Sequence, residues 1–208
     1  MKSTKFWDKA AEKYAKSAIS DMAGYEETRD QIRDLLQPHH RVLEIGCGTG
    51  STALELADRV DQYVATDISP KMIDIAKSKE KTDALAHLSF ETRDADQEIS
   101  GSFDVILALN VLHLLPNLEE VIAGIFAALP AGGMLISKTG LLKDGAWYFP
   151  ALIAVMKAVG MAPYVRHLNE NDLTAVFTDA GFEVVSTLIQ DGSVPRMFSV
   201  LRKPIGGS

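Results

Sequence analysis

Val42-Leu43-Glu44-Ile45-Gly46-Cys47-Gly48-Thr49-Gly50 is the stretch on which the fold turns. A short apolar run with the look of a buried strand feeds three alternating glycines, and a helical pattern over Ser51–Arg59 follows. Glycines at such a bend permit positive φ and let a ligand approach the backbone. The start of the helix offers unpaired N–H groups to an anion. A bare strand-to-helix turn needs fewer than three glycines in five residues.

The same alternation extends outward from this loop. Arg41–Ile45, Gln62–Thr66, Leu88–Thr92, Phe103–Leu109 and Gly133–Lys138 read as buried strands. Pro70–Lys81 and Leu118–Leu129 carry apolar residues at helical spacing, and Ser69 before Pro70 reads as a hydroxyl N-cap. Strand–helix alternation predicts an α/β fold, with a parallel sheet covered by helices on both faces. The ends depart from it. Thr4–Ile19 and Tyr25–Leu36 read as helices, as does Asn171–Ala180, which Gly181 ends. Two last strands, Phe182–Ile189 and Arg196–Arg202, are joined by a link too short for a crossover helix and must be antiparallel. Seven strands are expected, in one domain over residues 1–208.

The 208 residues are 47% apolar and 24% charged, enough to bury a core, which excludes disorder, collagen and a disulfide scaffold. With 28 acidic against 21 basic residues the net charge is -7, so the basic footprint of a nucleic-acid binder is missing. The single cysteine, Cys47, forms no internal disulfide and suits a reducing cytoplasm. No apolar run follows the N-terminus, and Trp147–Ala162, interrupted by Lys157, is too short to span a bilayer. A cytoplasmic protein without a membrane span is expected.

Spacing selects the ligand. A dinucleotide fingerprint sets its third glycine five residues after the first, where this chain has Ser51. Glycines at 46, 48 and 50, preceded by Glu44, instead resemble the first motif of class I S-adenosylmethionine-dependent methyltransferases. Asp67 ends the second strand, 21 residues after Gly46, where an acid can accept from both ribose hydroxyls. Arg93-Asp94-Ala95 follows the third strand, where the family commonly places an acceptor for the adenine amino group. Phe103-Asp104-Val105-Ile106 opens the fourth strand, and Asn110 through Leu115 is similar to the family's segment beside the methyl donor. Ala131-Gly132-Gly133 and the terminal hairpin also match. The resemblance covers about residues 40–203. It implies a Rossmann-like, mostly parallel sheet and S-adenosyl-L-methionine as cofactor. Its binding residues would be Glu44, Gly46, Cys47, Gly48, Gly50, Asp67, Ile68, Asp94, Ala95 and Asn110, with Cys47 a packed residue rather than a nucleophile.

Missing motifs narrow the acceptor. There is no Asn/Asp-Pro-Pro-aromatic run after the fourth strand, no Asp/Asn metal cluster beside it, and no set of thiolates. What remains resembles the ubiquinone/menaquinone-biosynthesis methyltransferases: metal-independent transfer to a small, apolar or aromatic molecule by in-line displacement. An aminopropyltransferase and a non-catalytic S-adenosylmethionine-binding protein stay open as alternatives. On the N-terminal helix, Tyr14 is the residue expected over the cofactor, within a helical cover spanning residues 1–36. His113 is the leading polar candidate, as a base with the ordinary histidine pKa of about 6.5 or as a positioning group. It also reads as a packed core residue. His39 and His40 read as structural. An apolar segment, residues 140–168, contributes Trp147, Tyr148, Tyr164 and His167 as substrate contacts, with Arg166 a weaker one. That segment reads as a pocket roof, as the surface of a homodimer, or as a membrane-surface contact.

Overall fold

The structure is a computed structural model. It describes residues 2–17, 21–79, 87–145 and 164–206. Trp147, Tyr148 and most of the predicted apolar insertion lie outside the described residues, as do residues 18–19 and 80–81 at the ends of two predicted helices. Two compact units divide the chain, Met1–Gln97 and Glu98–Ser208.

In the first unit, helices α1 (Lys2–Lys16) and α2 (Met22–Leu35) precede strand β1 (Arg41–Ile45). Helix α3 (Ser51–Leu56) passes into a 3-10 turn at Ala57–Arg59, then come β2 (Gln62–Asp67), α4 (Pro70–Lys79) and β3 (Leu88–Thr92). The three strands pair in parallel, with Ile45 opposite Thr66 and Asp67 opposite Thr92. Their apolar runs are buried, as parallel strands require. Leu43, Tyr63, Leu56 and Met72 are among the largest fully enclosed side chains, each worth about 1.5–3 kcal/mol of apolar burial. Ser69 caps α4 as predicted, its Oγ accepting from Met72 N at 3.2 Å.

The second unit holds β4 (Val105–Leu109), a 3-10 turn at Leu112–Leu114, α5 (Leu118–Ala128) and β5 (Met134–Gly140). Helix α6 (Glu170–Asp179), β6 (Glu183–Gln190) and β7 (Arg196–Arg202) complete it. Strand β5 is parallel to β4, while β7 is antiparallel to both β5 and β6, with a bulge in β6 between Val184 and Ser186. The seven strands have the order β3-β2-β1-β4-β5-β7-β6, the mostly parallel α/β sheet with a reversed end that the sequence predicts. Strand β6 is the outer member, and Val184, Val185 and Leu188 on it are exposed.

Candidate cofactor and active site

The glycine loop owes its shape to three left-handed residues, Gly46 (φ 71°), Gly48 (φ 56°) and Gly50 (φ 73°). L side chains are strained there, which accounts for the glycines at once. Each meets different surroundings. A β-carbon on Gly50 would lie 2.6 Å from Phe90 Cε1 and 2.8 Å from Ala76 Cβ, so close packing, not ligand access, demands this glycine. A β-carbon on Gly48 would meet only Tyr14 Cε1, at 3.7 Å. Gly48 is the point where a ligand has room to reach the backbone.

Asp67 holds this loop from the tip of β2. Its Oδ2 accepts from Gly48 N at 2.9 Å and its Oδ1 from Ser69 N at 2.8 Å. An ionised carboxylate has about four lone-pair sites, so acceptor capacity is left for further donors. Burial raises the Asp67 pKa, the two backbone N–H groups oppose that, and Asp8 adds a smaller upward push. Ile68, half-buried, lies between Asp67 and Ser69. Tyr14, on α1, is 55% exposed, and its hydroxyl pKa is raised by desolvation and then by Asp67 and Glu44.

Glu44 points inward. It is 3% exposed, Tyr63 donates its hydroxyl to Oε2 at 2.8 Å, and burial pushes its pKa up to about 7. Cys47 N donates to Thr66 O at 2.9 Å, and burial raises the thiol well above its usual range. A thiol raised in this way stays protonated at pH 7. Helix α3 follows the loop. The helix is only six residues long, and the Lys79 ammonium donates to Thr49 O (2.9 Å), Thr49 Oγ1 (2.8 Å) and Ser51 Oγ (3.3 Å). Those polar groups are satisfied by a lysine that no local pattern announces. Past β3, Arg93 N donates to Asp67 O, tying the Asp94–Ala95 turn to the same strand tip.

In the second unit, Asn110 leaves β4 with φ 57°, the one positive φ outside glycine among the described residues. Such strain concentrates where function needs a backbone held in place. His113 occupies the 3-10 turn that follows, its carbonyl accepting from Arg166 N at 2.7 Å and its Nδ1 buried without a partner among the described residues. Burial, with Arg196 second, lowers its pKa to about 4, which corrects the ordinary value expected. Arg166 has a carboxylate partner. Its guanidinium grips Glu119 through both terminal nitrogens, Nη1 at 2.7 Å from Oε2. His167 lines a hollow of about 540 Å³ between α5 and α6, and Tyr164 is exposed nearby in sequence.

The fold and loop together define a Rossmann-like protein of the methyltransferase type. A family model described as "Methyltransferase domain" matches residues 43–135. The hybrid PKS-NRPS synthetase apdA of Emericella nidulans is 34% identical over 129 residues, 54% of this chain and 3% of that protein. The magnesium-protoporphyrin O-methyltransferase of Rhodobacter capsulatus is 43% identical over 84 residues, 39% of this chain and 38% of that one. The chain therefore spans well under half the length of these curated relatives. Among solved structures, the magnesium protoporphyrin IX methyltransferase of Synechocystis PCC 6803 with bound SAH gives a TM-score of 0.66 at 22% identity, covering 86% of this chain and 84% of that one. That likeness is one of fold. Among the described residues, no helix is long and apolar enough to cross a membrane.

Proposed function

We propose that this chain catalyses methyl transfer from S-adenosylmethionine to a small molecule, as one domain. The observation that carries the reading is Asp67, which bridges Gly48 and Ser69 and keeps acceptor capacity beside a loop glycine, Gly48, with room for a ligand. S-adenosylmethionine would supply, when bound, a sulfonium methyl group that an acceptor attacks in line, with the thioether S-adenosylhomocysteine as leaving group. Asp67 takes the ribose hydroxyls, Gly46 through Gly50 give the backbone approach, Asp94, Ala95 and Ile68 border the adenosine, and Glu44 braces the loop from beneath. Asn110 and His113 follow β4 as the glycine loop follows β1 and Asp67 ends β2, so each stands at the carboxyl end of its strand, where ligands of open α/β sheets bind.

Alignment is the main catalytic contribution, since holding reactants in attack geometry supplies roughly 7–11 kcal/mol. Tyr14 borders the donor and His113 orients the acceptor. A histidine whose pKa falls to about 4 is neutral at pH 7 and a weak base, which favours positioning over proton abstraction. Tyr164, His167, Trp147 and Tyr148 are the proposed substrate contacts, and the quinone-biosynthesis subtype remains an expectation.

Two experiments test the reading. Calorimetry is expected to show micromolar-range binding of S-adenosylhomocysteine and none of NAD; binding of NAD alone would overturn it. Incubation with S-adenosylmethionine and a metabolite mixture is expected to yield a product heavier by one methyl group in mass spectrometry. With that product as the assay, His113→Gln is expected to keep cofactor affinity and lower turnover by less than about 100-fold, below the usual 10²–10⁴-fold effect of a general base. Its pH–rate profile should show no limb near 6.5 in either protein. A limb there that disappears in the variant would restore His113 as the base.

A further inference from the structure

A chain of hydrogen bonds leads from α1 to the glycine loop. On α1, Asp8 is half-buried and Ala11, one turn on, is fully enclosed where the helix packs on α4. Asp8 Oδ1 accepts from Ser69 Oγ at 2.6 Å and lies 3.4 Å from Lys71 N. Ser69 is fully buried, and its own N–H donates to Asp67 Oδ1 at 2.8 Å. Asp67 Oδ2 in turn accepts from Gly48 N at 2.9 Å, and Gly48 is the residue that Tyr14 of α1 approaches. The helix thus reaches the loop twice, by the approach of the Tyr14 ring to Gly48 and through the series Asp8–Ser69–Asp67–Gly48.

We propose that Asp8 is a positioning residue that couples the docking of α1 to the geometry of the Asp67 carboxylate, so that the helix and the cofactor hold each other in place. The inference rests on the reading of Asp67 as the ribose acceptor. The physical reason lies in Ser69. Its hydroxyl has one proton, which Asp8 takes, while its oxygen accepts from Met72 N and its amide is committed to Asp67. With every polar group of this enclosed residue used, Ser69 has one orientation, and so has the carboxylate it donates to. Removing the acceptor on α1 frees the hydroxyl to rotate, loosens α1 from α4, and withdraws Tyr14 from Gly48. Binding at the loop restrains α1 in return, because coupling between two sites is reciprocal. No local pattern announces the pair, which is 61 residues apart in sequence.

The test uses the full chain, with S-adenosylhomocysteine as probe, in three forms: wild type, Asp8→Ala and Asp8→Asn. Calorimetry is expected to show the dissociation constant rising about 5–10-fold in Asp8→Ala, the size of one charged hydrogen bond in a partly exposed setting. Asp8→Asn keeps an acceptor oxygen and is expected to recover most of the affinity. Limited trypsin digestion reads the helix directly, since Lys9, Lys13 and Lys16 are exposed on α1. The probe should slow cleavage there in wild type and in Asp8→Asn, and fail to do so in Asp8→Ala. Wild-type affinity and protection in Asp8→Ala would overturn the inference and leave the proposed function standing. A loss that Asp8→Asn shares in full would overturn it too, because the hydrogen bond would not be the agent. Wild-type protein that ignores the probe would instead overturn the cofactor reading itself.

Discussion

Gly50→Ala is expected to destabilise the chain by about 2–5 kcal/mol, a large part of the roughly 5–15 kcal/mol that holds a typical domain folded. Two costs add at this position. The new β-carbon would stand 2.6 Å from Phe90 Cε1 and 2.8 Å from Ala76 Cβ, both on enclosed residues, and overpacking of this kind costs about 1–3 kcal/mol. Ala76 has no rotamer with which to retreat. The left-handed backbone, φ 73°, adds about 1–2 kcal/mol for an L side chain. Gly48→Ala carries the second cost without the first, since its β-carbon would find only Tyr14 at 3.7 Å. Urea unfolding of the two variants checks the difference. Equal midpoints would mean that α4 and β3 do not press on Gly50 as described.

Asp67→Ala is expected to lower affinity for S-adenosylhomocysteine by about 10–150-fold, from the roughly 1.5–3 kcal/mol of hydrogen bonding to a charged acceptor. The structure places the effect toward the upper end. The substitution removes the proposed ribose acceptor and also leaves Gly48 N and Ser69 N without the oxygens they donate to. Asp67→Asn should restore little. Its amide nitrogen would face one of those two N–H donors, and two donors repel. Calorimetry on both variants provides the check, and wild-type affinity in either would remove Asp67 from the binding site.

Much of this was legible in the chain itself. Arg41–Ile45, Leu88–Thr92 and Arg196–Arg202 have the predicted limits because β-rich runs there end at polar or turn residues. Limits moved where backbone pairing outlasts the side-chain pattern. Strand β5 runs on through Thr139 and Gly140 because β7 continues alongside them. Strand β4 begins at Val105 rather than Phe103, and α3 gives way to a 3-10 turn after Leu56. Helix α6 starts one residue early, with Asn169 and Asp172 closing a capping box. The candidate site divides along the same line. Gly46, Gly48, Gly50 and Asp67 carry a spacing signal. Asp8, Lys79 and Tyr63 carry none, because their partners stand 61, 30 and 19 residues away. The depressed pKa of His113 was hidden for a similar reason, since enclosure by residues remote in sequence sets it.

Strand β6 bears on how copies of the protein meet in solution. Among the described residues it is the last strand of its sheet, so one row of its backbone N–H and C=O groups has no neighbouring strand there. Natural edges are commonly guarded by lysine, proline or an inward charge, yet Val184 through Gln190 includes none of these. Val184, Val185 and Leu188 are 38%, 49% and 39% exposed along it. Its guards are the exposed charge of Glu183 at its start and the bulge between Val184 and Ser186. Keeping copies apart then falls to mutual repulsion from the net charge of -7. That repulsion fades as the solution approaches the isoelectric point near pH 5.2. Mild acidity therefore exposes this edge to strand-by-strand association while the fold around it is still intact.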